Sequence, residues 1–175
     1  KIESGDTVLH EEPLSLIKAM EIVDGVCRPA AMEKKQILDM DMEEIRDAYV
    51  LADPVRLRQV LINLIGNAVK YTPQGTDITV QVKKEKTENR ENAQVIISVC
   101  DLGDGIPDDR KERVFDMFYT GSDQVADSRR SLGLGLGLCR SIINAHGGKI
   151  WISDNIPHGA VVTFTLPAEE VALNE

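Results

Sequence analysis

The sequence has few cysteines, no long apolar run and no excess of basic residues. Its 175 residues include three widely spaced cysteines without a C-x-x-C pair, which predicts buried, reduced thiols rather than a disulfide framework or metal site. The sequence contains no apolar run of roughly 20 residues and no apolar leader, so we expect neither a membrane-spanning helix nor a signal segment in this chain. A formal net charge of -9 argues against nucleic acid or an anionic membrane as the partner.

The chain does have enough apolar residues to form one domain over residues 1–175. Its hydrophobic content is 42%, which can build a core without disulfides. Helical periodicity and strand alternation predict both helices and strands along the chain. The predicted elements are a helix over 13–30 with Pro13 in its first turn, strands in QILDMDM and AYVLAD, a helix over 54–71 capped by Asp53, a hairpin with a charged tip, a helix over 136–146, and strands in KIWISD and AVVTFTLP.

The helix over 54–71 carries a narrow polar stripe between apolar faces. Asn63 and Asn67 lie one helical turn apart on this stripe, and Lys70 follows. Amide oxygens in an enclosed cleft can approach Mg²⁺ and a phosphate chain, and a lysine can add positive charge there. The alternative interpretation is a set of solvated surface amides and a solvated lysine at the helix end.

A second candidate site begins at Asp101, where an apolar strand ends in DLGDGIP. A carboxylate at this position needs a hydrogen-bond donor, and the exocyclic amine of adenine would be one. Gly103 and Gly105 would let the backbone approach the base closely. An ordinary turn is the alternative interpretation of the same residues.

The third candidate site is GLGLGLC, in which Gly133, Gly135 and Gly137 open a predicted helix. Backbone N–H groups at such a position can face an anion. The motif lacks the Lys-Ser/Thr ending of a P-loop. Arg129 and Arg130 precede it on a segment that we expect to be a mobile loop, where they either contact the terminal phosphate or remain solvated.

In this order, LRQVLINLIGNAVKYTP, DLGDGIP, VFDMFY and GLGLGLCRSIINAHGGKI resemble the N, G1, F and G2 boxes of bacterial sensor histidine kinases. The resemblance spans nearly the whole chain and implies the Bergerat fold of the GHKL superfamily. That fold is a two-layer α/β sandwich, with three helices packed on one face of a mixed sheet and a flexible ATP lid, here over about residues 119–135. The tail of the chain is also similar to the potassium-responsive KdpD branch.

The resemblance implies ATP and Mg²⁺ as cofactors and assigns roles to individual residues. It makes Asn67 the magnesium ligand, and it places Asn63 and Lys70 near the phosphates as catalytic residues, together with Arg130. Nucleotide contacts are expected from Asn63, Asn67, Lys70, Tyr71, Asp101, Gly103, Gly105, Ile106, Phe118, Gly133, Leu134, Gly135, Leu136, Gly137 and Leu138.

The resemblance also implies a function, namely donation of the γ-phosphate of Mg-ATP to a histidine on a separate dimerisation domain in two-component signalling. We expect that acceptor domain to lie outside this sequence and a response regulator to act downstream. We expect the chain to be a monomeric, cytoplasmic part of a membrane-anchored kinase. Hydrolytic relatives carry a glutamate at the position of Asn63, and an amide cannot act as a general base, which favours transfer over hydrolysis. The alternatives are a non-catalytic adenine-nucleotide sensor and a GHKL ATPase.

Overall fold

The computed structural model describes residues 8–42, 48–86, 93–115 and 130–168. The predicted strands and helices are all present, with shifted starts for two helices. The elements are β1 (Glu12–Ser15), α1 (Leu16–Glu33), β2 (Ile37–Asp41), β3 (Tyr49–Ala52), α2 (Pro54–Tyr71), β4 (Asp77–Lys86), β5 (Ala93–Cys100), two short 3₁₀ turns (Asp108–Arg110 and Arg113–Phe115), α3 (Arg130–Ala145), β6 (Ile150–Asp154) and β7 (Ala160–Pro167).

Five of the strands form a mixed sheet in the order β2-β4-β5-β7-β6. β2 is parallel to β4, and the other neighbours are antiparallel. Side chains alternate along β5, so that Val95, Ile97 and Val99 are buried on the face covered by helices. The three helices lie side by side, with α2 between α1 and α3, and share one hydrophobic core with the sheet. This arrangement confirms the predicted two-layer α/β sandwich.

Helix α2 has the predicted bounds, and both of its ends are fixed by side chains. At the start, Asp53 Oδ1 accepts hydrogen bonds from the backbone N–H groups of Val55 and Arg56, which satisfies two donors of the first turn. At the end, Lys34 Nζ donates to the carbonyl oxygens of Val69 and Thr72, at 2.7 and 2.8 Å. The helix is therefore held at both ends in its position across the sheet.

Asp53 also connects α2 to two other parts of the chain. Its Oδ2 accepts a hydrogen bond from the backbone N–H of His10, and its own N–H donates to Nε2 of the buried His146, at the end of α3. His146 Nδ1 lies 2.8 Å from the carbonyl oxygen of Ile142, which can only accept, so the proton of the neutral ring is on Nδ1. This one position joins the segment before β1, the start of α2 and the end of α3.

The start of the first helix was predicted wrongly. Pro13 lies in strand β1 rather than in a helical turn, and α1 begins at Leu16. β1 pairs with β3 in a separate two-stranded sheet, in which Pro13 lies opposite Leu51. Proline is tolerated at a sheet edge because its missing N–H can face away from the partner strand.

The start of the third helix was also predicted too late. α3 begins at Arg130 rather than Leu136, so residues 130–135 have a helical backbone instead of forming a glycine loop and the end of the lid. A glycine costs only roughly 1 kcal/mol in a helix, which the hydrogen bonds of a helix packed through Leu136, Cys139 and Ile142 can offset. The remainder of the predicted lid, residues 119–129, lies outside the described residues.

The cysteines are free thiols, as predicted, although they differ in burial. Cys27 and Cys139 are buried, whereas Cys100 is only partly covered. Burial, with a smaller contribution from Asp24, raises the pKa of the Cys27 thiol to about 11, so it stays protonated at neutral pH. In the described part of the chain, none of the helices combines the length and the apolar content that crossing a membrane requires.

Replacing Asp53 with alanine is expected to lower the free energy of unfolding by about 1 to 2 kcal/mol at neutral pH, because the helix cap is lost. Burial by itself raises the pKa of the Asp53 carboxyl, but the N–H groups of His10, Arg56 and Val55 outweigh it and hold the pKa below the ordinary 3.8. A lowered folded-state pKa contributes stability above pH 3.8, and that contribution is lost as the pH falls through the folded-state value.

Urea unfolding of the wild type and Asp53→Ala over a series of pH values measures this effect. The difference between them should be present at pH 7 and should narrow in acid. Asp77→Ala, which removes an exposed carboxylate at the start of β4, is the control and should show neither effect. A difference that is independent of pH would contradict the assignment of the lost stability to the charged cap.

Candidate functional site

A cavity of about 380 Å³ lies between α2 and the ends of β5 and β7. Its walls are mostly apolar, and a few polar side chains project into it, as is typical of small-molecule sites. The lining residues are Leu64, Asn67, Ala68, Tyr71, Val99, Asp101, Gly103, Asp104, Gly105, Ile106, Pro107, Arg110, Val114, Leu136, Ala160 and Val162.

Asp101 lies at the end of β5, and backbone donors fix its carboxylate from two sides. Its Oδ1 accepts hydrogen bonds from the N–H groups of Gly103, at 2.9 Å, and Ala160, at 3.1 Å. Its backbone N–H donates to the Ala160 carbonyl, which extends the pairing of β5 with β7 by one residue. Both donors bind the same oxygen, so Oδ2 is the acceptor that Asp101 can offer to a donor group in the cavity.

The two glycines after Asp101 lie close to neighbouring parts of the chain. A side chain at Gly103 would approach the methyl group of Thr72 to 3.1 Å and the Tyr71 carbonyl oxygen to 3.2 Å. Gly105 has a φ of +78°, which favours glycine, and lies close to the Gly159 carbonyl. The segment therefore lies against the end of α2 on one side and the β6–β7 turn on the other, and it forms one rim of the cavity.

Asn67 projects from α2 into the same cavity. Its Nδ2 is buried, and the described residues provide no hydrogen-bond partner for it. An unpaired buried donor costs about 1 to 3 kcal/mol, so this amide suits a ligand that brings an acceptor. Rotation of the amide would present its oxygen instead, which is the atom type that Mg²⁺ prefers.

The rim of the cavity beyond Gly105 is held by a lysine. Lys111 Nζ donates to the Ile106 carbonyl at 2.8 Å and forms an ion pair with Asp154 of β6 at 2.9 Å. Hydrogen bonds that Lys111 donates to Asp108 and, to a smaller extent, to Asp154 raise the pKa of Lys111 above its ordinary value, so it stays charged at neutral pH. Arg110, next to it, lines the cavity and brings a cation to a wall that also contains Asp101 and Asp104.

Seven of the predicted nucleotide contacts line the cavity together. They come from three separate stretches of sequence, and the fold brings them within one site. Their roles in binding stay a prediction. These residues are Asn67, Tyr71, Asp101, Gly103, Gly105, Ile106 and Leu136.

Four other predicted site residues do not line the cavity, and their roles stay a prediction. Asn63 is not part of the cavity lining, and its side chain hydrogen-bonds the thiol of Cys139 across the contact between α2 and α3. The pKa of that thiol is raised to about 12, because the effect of burial outweighs the opposite effect of the Asn63 hydrogen bond. Lys70 is exposed, with Nζ 5.5 Å from the centre of the Tyr71 ring. Gly137 and Leu138 lie on α3 but outside the lining.

Several predicted site residues fall on parts of the chain of which little is described. Phe118 and Arg129 lie outside the described residues. Arg130, Gly133, Leu134 and Gly135 have a described helical backbone, but their side chains lie outside the described part.

Nine lining residues were not predicted from the sequence. Leu64 and Ala68 lie one turn from Asn67 or next to it, so helical periodicity through Asn67 could have identified them. Asp104 and Pro107 belong to the same motif as Asp101. The others join the site through tertiary packing, which no local pattern reveals: Val99, Arg110, Val114, Ala160 and Val162.

The sequence is similar to curated sensor kinases. It is 32% identical over 170 residues to the sensor protein KdpD of Clostridium acetobutylicum, a match covering 97% of this chain and 18% of that protein. It is 44% identical over 143 residues to the adaptive-response sensory kinase SasA of Nostoc sp. PCC 7120, covering 82% of this chain and 34% of the relative. The chain thus spans about a fifth to a third of the length of these relatives.

Solved structures with the same fold are also histidine kinases. The catalytic domain of ThkA superposes with a TM-score of 0.73 at 29% identity, covering 91% of this chain and 96% of that one. Full-length ShkA in complex with AMPPNP gives 0.72 at 26% identity, covering 93% of this chain and 32% of ShkA. ThkA in complex with the response regulator protein TrrA gives 0.72 at 30% identity, covering 94% and 43%.

A family model described as "Histidine kinase-, DNA gyrase B-, and HSP90-like ATPase" matches residues 52–170, which include α2, the cavity, α3 and the last two strands. The match covers more than half of the chain, and the curated relatives and structural neighbours agree with it. The chain therefore belongs to the histidine kinase-, DNA gyrase B- and HSP90-like ATPase family, and its relatives within that family are sensor histidine kinases.

Proposed function

We propose that this chain binds Mg-ATP in the cavity beside α2 and presents the γ-phosphate to a histidine on a separate dimerisation domain. The observation that carries the proposal is the Asp101 carboxylate, which has one oxygen held by two backbone donors and lies in a largely apolar cavity. The structural neighbour ShkA was solved with AMPPNP, an ATP analogue, which supports this choice of ligand.

The adenine base suits the part of the cavity between Asp101 and the apolar side chains. Its exocyclic amine is a donor for Asp101 Oδ2. Leu64, Val99 and Val162 provide apolar surface for the faces of a purine ring. An aromatic base with one donor group fits both the fixed acceptor of Asp101 and the apolar surface beside it.

The phosphate end of the ligand would lie towards Asn67. The buried, unpaired amide of this residue fits a phosphate oxygen through its nitrogen or Mg²⁺ through its oxygen. A bound Mg²⁺ would offset the negative charge of the triphosphate, which a chain of net charge -9 does not do by itself. Arg110, on the cavity wall, adds a local positive charge.

Phosphoryl transfer needs positioning and charge neutralisation more than it needs acid-base groups. The described cavity provides a fixed acceptor for the base and an amide for the phosphate region. Asn63 cannot remove a proton from water, and it lies against Cys139 rather than in the cavity lining. These features favour transfer to a protein group over hydrolysis.

The names of relatives support the choice of acceptor and downstream partner. ThkA was solved with the response regulator protein TrrA, and KdpD and SasA are named as sensor kinases. We therefore propose that the acceptor histidine belongs to a dimerisation domain of the parent protein and that a response regulator receives the phosphate. Attachment of that parent to a membrane, with this part in the cytoplasm, stays a prediction.

Asp101→Asn is expected to weaken ATP binding at least about tenfold while the fold stays intact. The asparagine oxygen can still accept from Gly103 and Ala160, but its NH₂ would replace Oδ2 and meet the amine of adenine donor to donor. Isothermal titration calorimetry measures the affinity, and thermal unfolding checks the fold. Asp109→Asn, on an exposed 3₁₀ turn, is the control. Unchanged affinity in Asp101→Asn would rule out this carboxylate as the base-binding group.

Asn67→Ala is expected to abolish the gain in ATP affinity that Mg²⁺ confers, because the proposed ligand amide is removed. The measurement is a calorimetric titration with ATP in the presence of either magnesium or EDTA. Asn144→Ala, which removes an exposed amide from α3, should retain the metal effect. If magnesium strengthens binding equally in the wild type and Asn67→Ala, Asn67 is not the metal ligand.

Mixing the chain with the dimerisation domain of its parent protein and γ-labelled ATP tests the transfer itself. We expect acid-labile label on the acceptor domain, as a phosphohistidine would give. ATP binding without any labelled acceptor would favour a nucleotide sensor instead. Steady release of phosphate by the chain alone would favour an ATPase.

A further inference from the structure

The turn between β6 and β7, residues 155–159, contacts the main chain that carries Asp101. We refer to these five residues as the clamp turn. Asn155 Nδ2 donates to the Asp101 carbonyl oxygen at 2.7 Å, and His158 Nδ1 lies 2.9 Å from the Gly103 carbonyl oxygen. A carbonyl oxygen can only accept, so Nδ1 of His158 carries the proton. Both side chains therefore bind the backbone of the cavity rim.

Hydrogen bonds within the clamp turn fix its own conformation, so that it can hold the cavity rim in place. Asn155 uses both ends of its amide: Oδ1 accepts from the Ile156 N–H at 2.8 Å, while Nδ2 binds Asp101. The backbone N–H of Asn155 donates to the Gly159 carbonyl at 3.0 Å, which closes the turn. At Gly159 a Cβ atom would lie 2.0 Å from the Asp101 carbonyl oxygen, so the two main chains touch without space for a side chain.

The far end of the rim is tied to the same hairpin. Lys111 bonds the Ile106 carbonyl and pairs with Asp154, the last residue of β6. The first residue of β7, Ala160, donates to Asp101 Oδ1. The rim from Asp101 to Ile106 is thus attached to the β6–β7 hairpin at its start, its middle and its end.

We propose that Asn155 and His158 are positioning residues for base recognition. By fixing the carbonyl groups of Asp101 and Gly103, they set the direction in which the Asp101 carboxylate points into the cavity. The inference rests on the proposed adenine site. The clamp turn, which lies outside the cavity lining, would then contribute to selectivity for a purine that carries an exocyclic amine.

This role differs from simple support of the fold in one measurable respect. Loss of the clamp should reduce discrimination between ADP and IDP, because IDP has a carbonyl where adenine has its amine. The effect of Mg²⁺ on binding depends on the opposite wall of the cavity, at Asn67, and should persist. A variant that had only lost stability would keep the wild-type ADP-to-IDP affinity ratio at a temperature at which it is folded.

The experiment uses calorimetric titrations of ADP and IDP, with and without Mg²⁺, and thermal unfolding to verify folding. Asn155→Asp keeps the acceptor for Ile156 but places a carboxylate oxygen against the Asp101 carbonyl, and His158→Ala removes the second bond. Each should lower the ADP-to-IDP affinity ratio roughly tenfold, as expected for the loss of one orienting hydrogen bond. His158→Asn keeps an N–H near the position of Nδ1 and should restore the ratio.

Asn144→Asp, an equivalent change at an exposed position on α3, is the control and should match the wild type. Folded Asn155→Asp and His158→Ala variants with wild-type ratios would overturn the proposal. Since His158 is exposed, its variant serves this purpose even if Asn155→Asp fails to fold. A wild-type protein that does not prefer ADP over IDP would instead count against the proposed adenine site itself.

Discussion

The site depends on a carboxylate that is fixed where two central strands of the sheet end. The Asp101 N–H donates to the Ala160 carbonyl and the Ala160 N–H donates to Asp101 Oδ1, next to the last strand pair, Cys100 and Val161, so the carboxylate is attached to the sheet rather than to a loose loop. A charged group in a largely apolar cavity is costly unless donors compensate it. Here two backbone N–H groups compensate one oxygen, and a ligand with one further donor would complete the arrangement.

The opposite wall is a single helix whose position is fixed at both ends. The backbone N–H of Asp53 ties the start of α2 to His146, which follows α3, and Lys34 ties the end of α2 to α1. Asn67 lies between these anchors, in the last half of the helix, so its distance from Asp101 follows from the packing of three helices on the sheet. Because both walls are held in place before a ligand binds, binding should cost little conformational entropy in this part of the protein.

The parts of the molecule that the sequence predicts well are those governed by local patterns. α2 has eighteen residues of regular apolar periodicity and a clear cap, and its bounds were correct. The start of α1 was wrong because β1 is a four-residue strand that exists only through its pairing with β3. The start of α3 was predicted wrongly because glycines allow a loop but do not prevent a helix. Local pattern could not place Ala160 at the cavity, since it arrives there through the pairing of β7 with β5.

The side chain of Asn63 makes a tertiary contact that the sequence pattern does not reveal. From the sequence it belongs to the same polar stripe as Asn67, yet in the structure its side chain faces Cys139 of α3, a buried thiol that stays protonated with a pKa of about 12. The neighbouring Val60 carbonyl lies 4.0 Å from the same sulfur atom. A glutamate at this position would bring a charge into a contact that already contains a carbonyl and a neutral thiol, and its desolvation would be costly. A neutral amide fits the contact, and it joins α2 to α3.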